Sequence, residues 1–310
     1  MRSMFTRKIV IYLSFGFIFA SLAVALYFFV SKPEKQAVPV AEDTKTAIVF
    51  KDVKYTGEKK GVVDWELTAK VARKYLDKPL IELESLRGLY KPKPDVSIEF
   101  TGTKGSMDTE KEAGRVDNVQ VFYKGEYTLK SPYMDFDFKK GLTTTNDVVD
   151  IKGKKIDMRG TGLLANTKEE TVKILSNVAG VIATDKGKYN FQADSLLYYF
   201  KASTYILEGK VVMKGKDLDM VCDIVHIYSL DNEVDRIEAD GNVRVMAKGT
   251  VAKSEKAVYH FKEGTIVFTQ SPRVIKDNME MKGVRVTYTT NDGKLSVEQP
   301  KIRMEKGKPN

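Results

Sequence analysis

A repeated dipeptide is the feature that most constrains how this chain folds. Lys-Gly pairs recur at alternating intervals of 28 and 34 residues, so a unit of about 31 residues repeats along the chain. Five of the ten Lys-Gly pairs form this series, at 124–125, 152–153, 186–187, 214–215 and 248–249. Lys276 and Asp277 stand where the next pair would fall. A fixed period of this size is typical of repeat architectures, in which each unit is one supersecondary element.

The residues before each turn alternate with a period of two. Apolar residues stand two apart at Val119 and Val121, Val149 and Ile151, Val211 and Met213, and Val243 and Val245. This spacing predicts strands with one buried face, and a second strand follows each turn. Because a lone hairpin cannot bury its apolar face, successive hairpins must stack. We predict an all-β fold, an elongated β-jelly-roll or open sandwich of repeated antiparallel hairpins. Facing sheets would enclose either a trough open to acyl chains or a closed core, and the sequence leaves both possible.

A small residue recurs at one point of the second strands. It is Pro132, Gly160 or Gly162, Ala193, Cys222, Ser254 and Gly283 in successive units. A small residue inside a strand indicates a tight bend or a close approach between layers. We therefore predict that the lone cysteine is a packing residue.

Cysteine and histidine are too scarce for the common catalytic and metal sites. One cysteine excludes a disulfide within the chain, and His226 and His260 have no second histidine at a metal-binding spacing. Both histidines are predicted to be ordinary strand residues. The carboxylates lie on alternating strands without a nucleophile or a glycine-rich loop beside them, so we predict neither an enzyme nor a cofactor.

The amino-terminal segment predicts a membrane anchor. Residues 9–30 are apolar and uncharged, and 22 helical residues span about 33 Å, enough for a bilayer core. A cleaved signal peptide is the alternative, but no small-x-small cleavage site ends the run. Residues 1–8 form a basic tail that places the amino terminus in the cytoplasm, and residues 31–46 form a linker. The prediction is a single-pass inner-membrane protein whose bulk is periplasmic.

At this point the residues resemble a known family. The segments DWELTAKVARKY (64–75), IELESLRGLY (81–90), 104–138 and 156–178 are similar to LptC, a membrane-anchored protein of lipopolysaccharide export. The stretch from about 181 to 303 resembles the LptA or OstA-like family. We therefore expect an LptC-like β-jelly roll at 47–180 and an LptA/OstA-like β-jelly roll at 181–310, as in a fusion of the two families.

The resemblance implies a lipid carrier. Such a protein would accept lipopolysaccharide from an inner-membrane ABC transporter complex and pass it towards the outer membrane. Its further partner would be an LptA-like or outer-membrane LptD-like jelly roll, joined by edge-to-edge strand pairing. The formal charge of +9 suits an anionic partner, but the basic residues are scattered over turns without a recognition helix, so nucleic acid is not predicted.

Lipid contact would fall on the residues that face the interior. The candidates are Phe191, Leu197, Tyr199, Val211, Met213, Met220, Val243, Val245 and Val251. The alternative reading makes each an ordinary core residue. The alternative function is a membrane-anchored scaffold that recruits periplasmic partners by strand-edge pairing without carrying lipid.

Overall fold

The computed structural model of the protein describes most of the chain after the predicted linker. The described residues are 47–59, 62–93, 96–123, 127–137, 139–153, 156–166, 168–184, 187–199, 201–230, 233–277 and 279–304. The predicted tail, anchor and linker (1–46) lie outside them. Within the described ranges, no helix is both long enough and apolar enough to cross a membrane.

The described residues form an all-β fold, as the sequence predicts, with 21 strands that pair antiparallel. The strands are β1 (Ala47–Lys59), β2 (Val62–Tyr75), β3 (Leu80–Lys93), β4 (Val96–Asp108), β5 (Ala113–Tyr123), β6 (Tyr127–Asp137), β7 (Leu142–Gly153), β8 (Ile156–Asn166), β9 (Thr171–Thr184), β10 (Gly187–Ala193), β11 (Ser195–Tyr199), β12 (Thr204–Lys214), β13 (Leu218–Leu230), β14 (Glu233–Ala247), β15 (Thr250–His260), β16 (Thr265–Thr269), β17 (Arg273–Lys276), β18 (Met279–Lys282), β19 (Arg285–Thr289), β20 (Leu295–Glu298) and β21 (Lys301–Met304).

The chain divides into two compact units, and the boundary falls between Ile174 and Leu175. In unit 1, each strand from β1 to β7 pairs with the next one along the chain. Unit 2 begins within β9 and repeats the same meander from β12 to β15. The domain bounds expected from the family resemblance, 47–180 and 181–310, stay a prediction.

The long strands bend near their midpoints. Residues there adopt the left-handed backbone region, with φ between 48° and 54° at Asp52, Ser85, Asn118, Asn177, Lys210 and Asn242. Such residues in a strand produce a local kink and a stronger twist, and Asn and Asp tolerate this region better than most side chains. Several of these positions stand 32 or 33 residues apart, so the bend recurs with the repeat.

Each bend shifts the alternation of buried residues on many strands. In β13 the buried residues are Met220 and Cys222 before the bend, and Val225 and Ile227 after it. The pairing register of β13 with β14 breaks between Val221 and Ile224. The bend therefore sends the two halves of one strand into two different layers.

The branching of the sheet at β15 shows the two layers of unit 2. Residues 250–253 of β15 pair with β17, whereas residues 256–260 pair with β16. One branch continues from β16 to β19 and β20, and we call it the β16 layer. The other continues from β17 to β18 and β21, and we call it the β17 layer.

Small residues occupy the bends of unit 2. Ala193, Cys222 and Ser254 are buried where their strands turn from one layer to the other. The predicted packing position is confirmed for these three. Pro132, at the corresponding point of β6, is exposed, so the rule does not extend to it.

Candidate functional site

The inner faces of the two layers of unit 2 form the candidate site. The β17 layer contributes a cross-strand row that contains Met213, Met220 and Val245. The β16 layer contributes a row that pairs Ile227 with Ile237, Ile237 with Tyr259 and Tyr259 with Ile266. Because alternate residues point to one face of a sheet, each row presents a continuous apolar surface to the interior.

Both rows line one internal cavity. Its lining is apolar except for one threonine hydroxyl and two tyrosine side chains. It consists of Ile182, Thr184, Tyr189, Met213, Leu218, Met220, Ile227, Val234, Ile237, Ala239, Val245, Ala257, Tyr259, Phe261 and Ile266. Residues from strands of both layers surround the same space, so the layers face each other across it.

The cavity is far smaller than a lipid. Its volume, counted as the space open to the centre of a water molecule, is about 30 Å³, and one water molecule needs about 10–15 Å³ by that measure. Most inward side chains of unit 2 are also buried, so the two layers pack against each other over most of the interior. Of the two forms that the sequence leaves possible, the described unit 2 has the closed core.

Six of the nine predicted inward residues are buried in unit 2. Met213, Met220 and Val245 line the cavity itself. Phe191, Val211 and Val243 are buried elsewhere in the interior. Contact of these residues with lipid stays a prediction.

The inward orientation predicted for the other three residues is wrong. Leu196 is the buried residue of β11, so Leu197 lies on its opposite face, and Tyr199 is 39% exposed. The prediction continued the alternation of Phe191 through the bend after β10, where the inward face shifts by one residue.

The alternation of β15 places Val251 on the outer face of the strand. On β15, Thr250 and Ala252 are buried, and Val251 between them faces outward opposite Met246. In a strand that alternates strictly, position decides the face even when the inward residue is the less apolar one.

The row of the β16 layer was missed by the sequence reasoning. Ile227 and Tyr259 lie beyond the bends of β13 and β15, whereas Ile237 lies before the bend of β14 and Ile266 lies on β16. Ile227 and Ile237 alternate with polar neighbours, whereas Tyr259 and Ile266 each have one valine beside them. A phase counted from each bend, and not from the preceding Lys-Gly turn, would have found them.

Hairpin turns of both layers lie on the side of unit 2 opposite the bends. There the ammonium group of Lys248, in the β14–β15 turn, donates to the carbonyl oxygens of Thr290 (2.9 Å) and Asn291 (2.8 Å). Lys276 donates to the carbonyl oxygen of Gly293 at 3.4 Å. Both lysines belong to the β17 layer and the turn at 290–293 belongs to the β16 layer, so they bridge the two layers.

A buried phenol lies beneath that turn. Tyr288 is 2% exposed, and among the described residues its hydroxyl has no hydrogen-bond partner. Burial raises the pKa of Tyr288, and the negative charges of Asp217 and Asp292 raise it further. The hydroxyl is therefore held in its neutral form, with its hydrogen-bonding capacity unused.

The thiol of Cys222 and the imidazole of His226 are packed against other parts of the fold. Burial raises the pKa of the Cys222 thiol to about 12, which makes the thiolate rare at neutral pH. The imidazole of His226 packs edge-on against Tyr228, with ring centroids 6.3 Å apart. Within the described ranges, no three His, Cys, Asp or Glu side chains are grouped so that they could hold a metal ion.

These features define a class: an antiparallel β-sandwich of repeated hairpins with an apolar interior between its layers. The chain belongs to the LptC-related family of lipopolysaccharide assembly, whose model matches residues 16–183, more than half of the chain. The model of the LptA/(LptD N-terminal domain) LPS transport protein family matches residues 190–294. The predicted combination of an LptC-like part with an LptA-like extension is confirmed.

One solved structure that resembles the chain carries a related description. It is the crystal structure of LptH, the LptA homologous periplasmic component of the conserved lipopolysaccharide transport device from Pseudomonas aeruginosa. It is 17% identical, covers 41% of this chain and 99% of its own length, and superposes with a TM-score of 0.37. No relative was found among curated proteins.

Proposed function

We propose that the protein carries lipopolysaccharide through the periplasm between the layers of its β-sandwich. It accepts the lipid from an inner-membrane ABC transporter and passes it towards the outer membrane. The observation that carries this proposal is the apolar interior of unit 2, which is lined from both layers and bordered by hairpin turns on one side. Acyl chains in water cost about 0.8 kcal/mol per exposed CH₂ group, and an apolar interior removes that cost.

The partners follow from the family and from the edges of the sheet. The apolar segment 9–30 anchors the chain beside the transporter, with the bulk of the protein in the periplasm. In the described part of the chain, β20 pairs with β19 and β21 pairs with β18. Their outer edges offer backbone groups to a further strand from an LptA-like or LptD-like protein.

Photo-crosslinking in cells tests the carrier function. A benzoylphenylalanine residue at Val245, inside the cavity, should form an adduct with lipopolysaccharide. The same residue at Tyr199, which is exposed on the outer face of β11, is the control and should form none. Protein adducts alone at both positions would overturn the carrier function.

The closed cavity favours a second candidate. An interior with room for only about two or three water molecules suits a membrane-anchored scaffold that recruits partners by its strand edges and carries no lipid. For a scaffold, a crosslinker on β21 should capture a partner protein while the one at Val245 captures no lipid. A lipid adduct at Val245 excludes the pure scaffold.

A further inference from the structure

We infer that Lys248, Lys276 and the turn at 290–293 form a latch, which holds the two layers of unit 2 closed until an anionic headgroup displaces the lysines. The inference rests on the proposed function for the identity of the lipid. The closing contacts stand on geometry alone. They can therefore be tested without lipopolysaccharide.

The turn at 290–293 is hydrogen-bonded to the β16 layer. The backbone N–H and the hydroxyl of Thr290 both donate to the carbonyl oxygen of Gly264, at 2.8 and 2.9 Å. Gly264 precedes β16, and the N–H of Gly293 donates back to the carbonyl oxygen of Thr289. The turn therefore moves with the β16 layer.

The two lysines belong to the β17 layer. Lys248 lies in the turn between β14 and β15, and Lys276 is the last residue of β17. Both therefore move with the β17 layer. Their three contacts with the turn cross from one layer to the other on the side opposite the bends. Separating the layers on this side requires these contacts to break.

An anionic headgroup can compete with the turn for the two lysines. Each lysine donates to neutral carbonyl oxygens, and an ammonium group binds a phosphate oxygen more strongly than a neutral acceptor. A phosphorylated amphiphile that arrives at this side offers both a better partner for the lysines and acyl chains for the apolar interior. Neutral amphiphiles offer only the second.

The buried phenol of Tyr288 makes the closed state easier to open. Its hydroxyl lies 3.8 Å from the point where a side chain on Gly293 would begin, directly under the turn. A buried hydroxyl without a partner destabilises the state that buries it, because it has given up its bonds to water. Tyr288 pairs with Ile266 in the inward row of the β16 layer, so separating the two layers returns the phenol to water or to a headgroup.

The experiment measures how often the interior opens in the full-length chain, solubilised in a neutral detergent. Cys222 is replaced by alanine, the residue that Ala193 provides at the equivalent bend, and Ala257→Cys places a thiol on the cavity wall. The rate of modification by N-ethylmaleimide reports opening. Lys248→Gln combined with Lys276→Gln should raise this rate about tenfold or more, since a hydrogen bond from a charged donor is worth about a decade in an equilibrium constant.

Two further variants guard against a general loss of structure. Lys253→Gln removes an exposed lysine nearer the bend of β15 and should leave the rate unchanged. Tyr288→Phe removes the unpartnered hydroxyl and should slow the reaction, an effect that partial unfolding cannot produce. Equal rates in the double lysine variant and the parent protein would overturn the latch.

The headgroup is tested with two amphiphiles of equal chain length. Dodecyl phosphate should accelerate modification of the parent protein several-fold and have little effect on the double lysine variant. An uncharged dodecyl ether should accelerate neither. Acceleration by both amphiphiles or by neither would overturn the role of the anionic headgroup. Failure of the lipopolysaccharide crosslink at Val245 with these rates as expected would overturn the proposed function and leave the latch standing.

Discussion

Replacing Phe268 with alanine distinguishes a packed interior from an open trough. Phe268 is fully buried on β16, in a cross-strand row between Ala257 and Val286. Removing a phenyl ring from a close-packed core costs about 3–5 kcal/mol, because the transfer free energy is lost and a cavity remains. A domain has about 5–15 kcal/mol of stability in total, so unit 2 should lose about a fifth or more of it.

Hydrogen exchange followed by mass spectrometry measures this loss in the full-length chain. The slowest amides of β13 to β15 exchange through global unfolding of their unit, and their protection should fall by more than about 100-fold, since 1.4 kcal/mol is a factor of ten. Val267→Ala, on the outward face of the same strand, is the matched control and should cost about 1 kcal/mol or less. If the two variants lose similar amounts of protection, the interior is already open and our account of a closed core is wrong.

Three further predictions concern the bends, the thiol and the surface ion pairs. Gly241→Ala should destabilise unit 2 more than Gly249→Ala, as measured by urea unfolding. Both glycines have φ near 75°, a backbone conformation that costs alanine about 1–2 kcal/mol. Only at Gly241 would the new methyl group lie 2.4 Å from a carboxylate oxygen. Equal losses of stability in the two variants would contradict this clash. At pH 8 the native Cys222 should react with iodoacetamide far more slowly than a free thiol, since its pKa of about 12 leaves a thiolate fraction of about 10⁻⁴; a rate near that of free cysteine would show that the bend is not buried. A hydrogen bond from Arg159 lowers the pKa of Asp150 below its ordinary value of 3.8, so this carboxylate stabilises the fold at neutral pH and ceases to do so as the pH falls through its folded pKa. Asp150→Asn should therefore have a urea midpoint that falls less steeply than that of the wild type below about pH 3.8, and identical slopes would refute the assignment.

The repeat could be predicted from the sequence because its signals are local. Val211 and Met213 stand two apart just before a Lys-Gly turn, and both are buried in β12. The polar segments at 201–203 and 262–264 are turns, as their composition indicates. Such features depend on a few consecutive residues, so the sequence carries them directly.

The phase of the strands beyond each bend could not be predicted in the same way. Ser85 and Asn118 adopt positive φ without being glycine, and neither stands in a pattern that signals a bend. The alternation changes there, from Leu83 to Leu86 in β3 for example. A single unseen shift was enough to place Leu197 on the wrong face.

The distance between the layers is a tertiary quantity, and no short pattern encodes it. Met220 and Ile237 suit an open trough and a closed core equally well as sequence. Their packing depends on side chains from several strands that meet only after the bends have formed.

The closed interior of unit 2 has a consequence for the time between transport events. An empty trough would expose two apolar faces to water, and exposed apolar surface of that kind promotes association between proteins. Layers that close on each other remove this surface without any other protein or lipid. Under the proposed carrier function, the periplasmic part of the anchored chain can therefore stay empty without associating with other proteins, while each lipid that enters must supply the free energy that separates the layers.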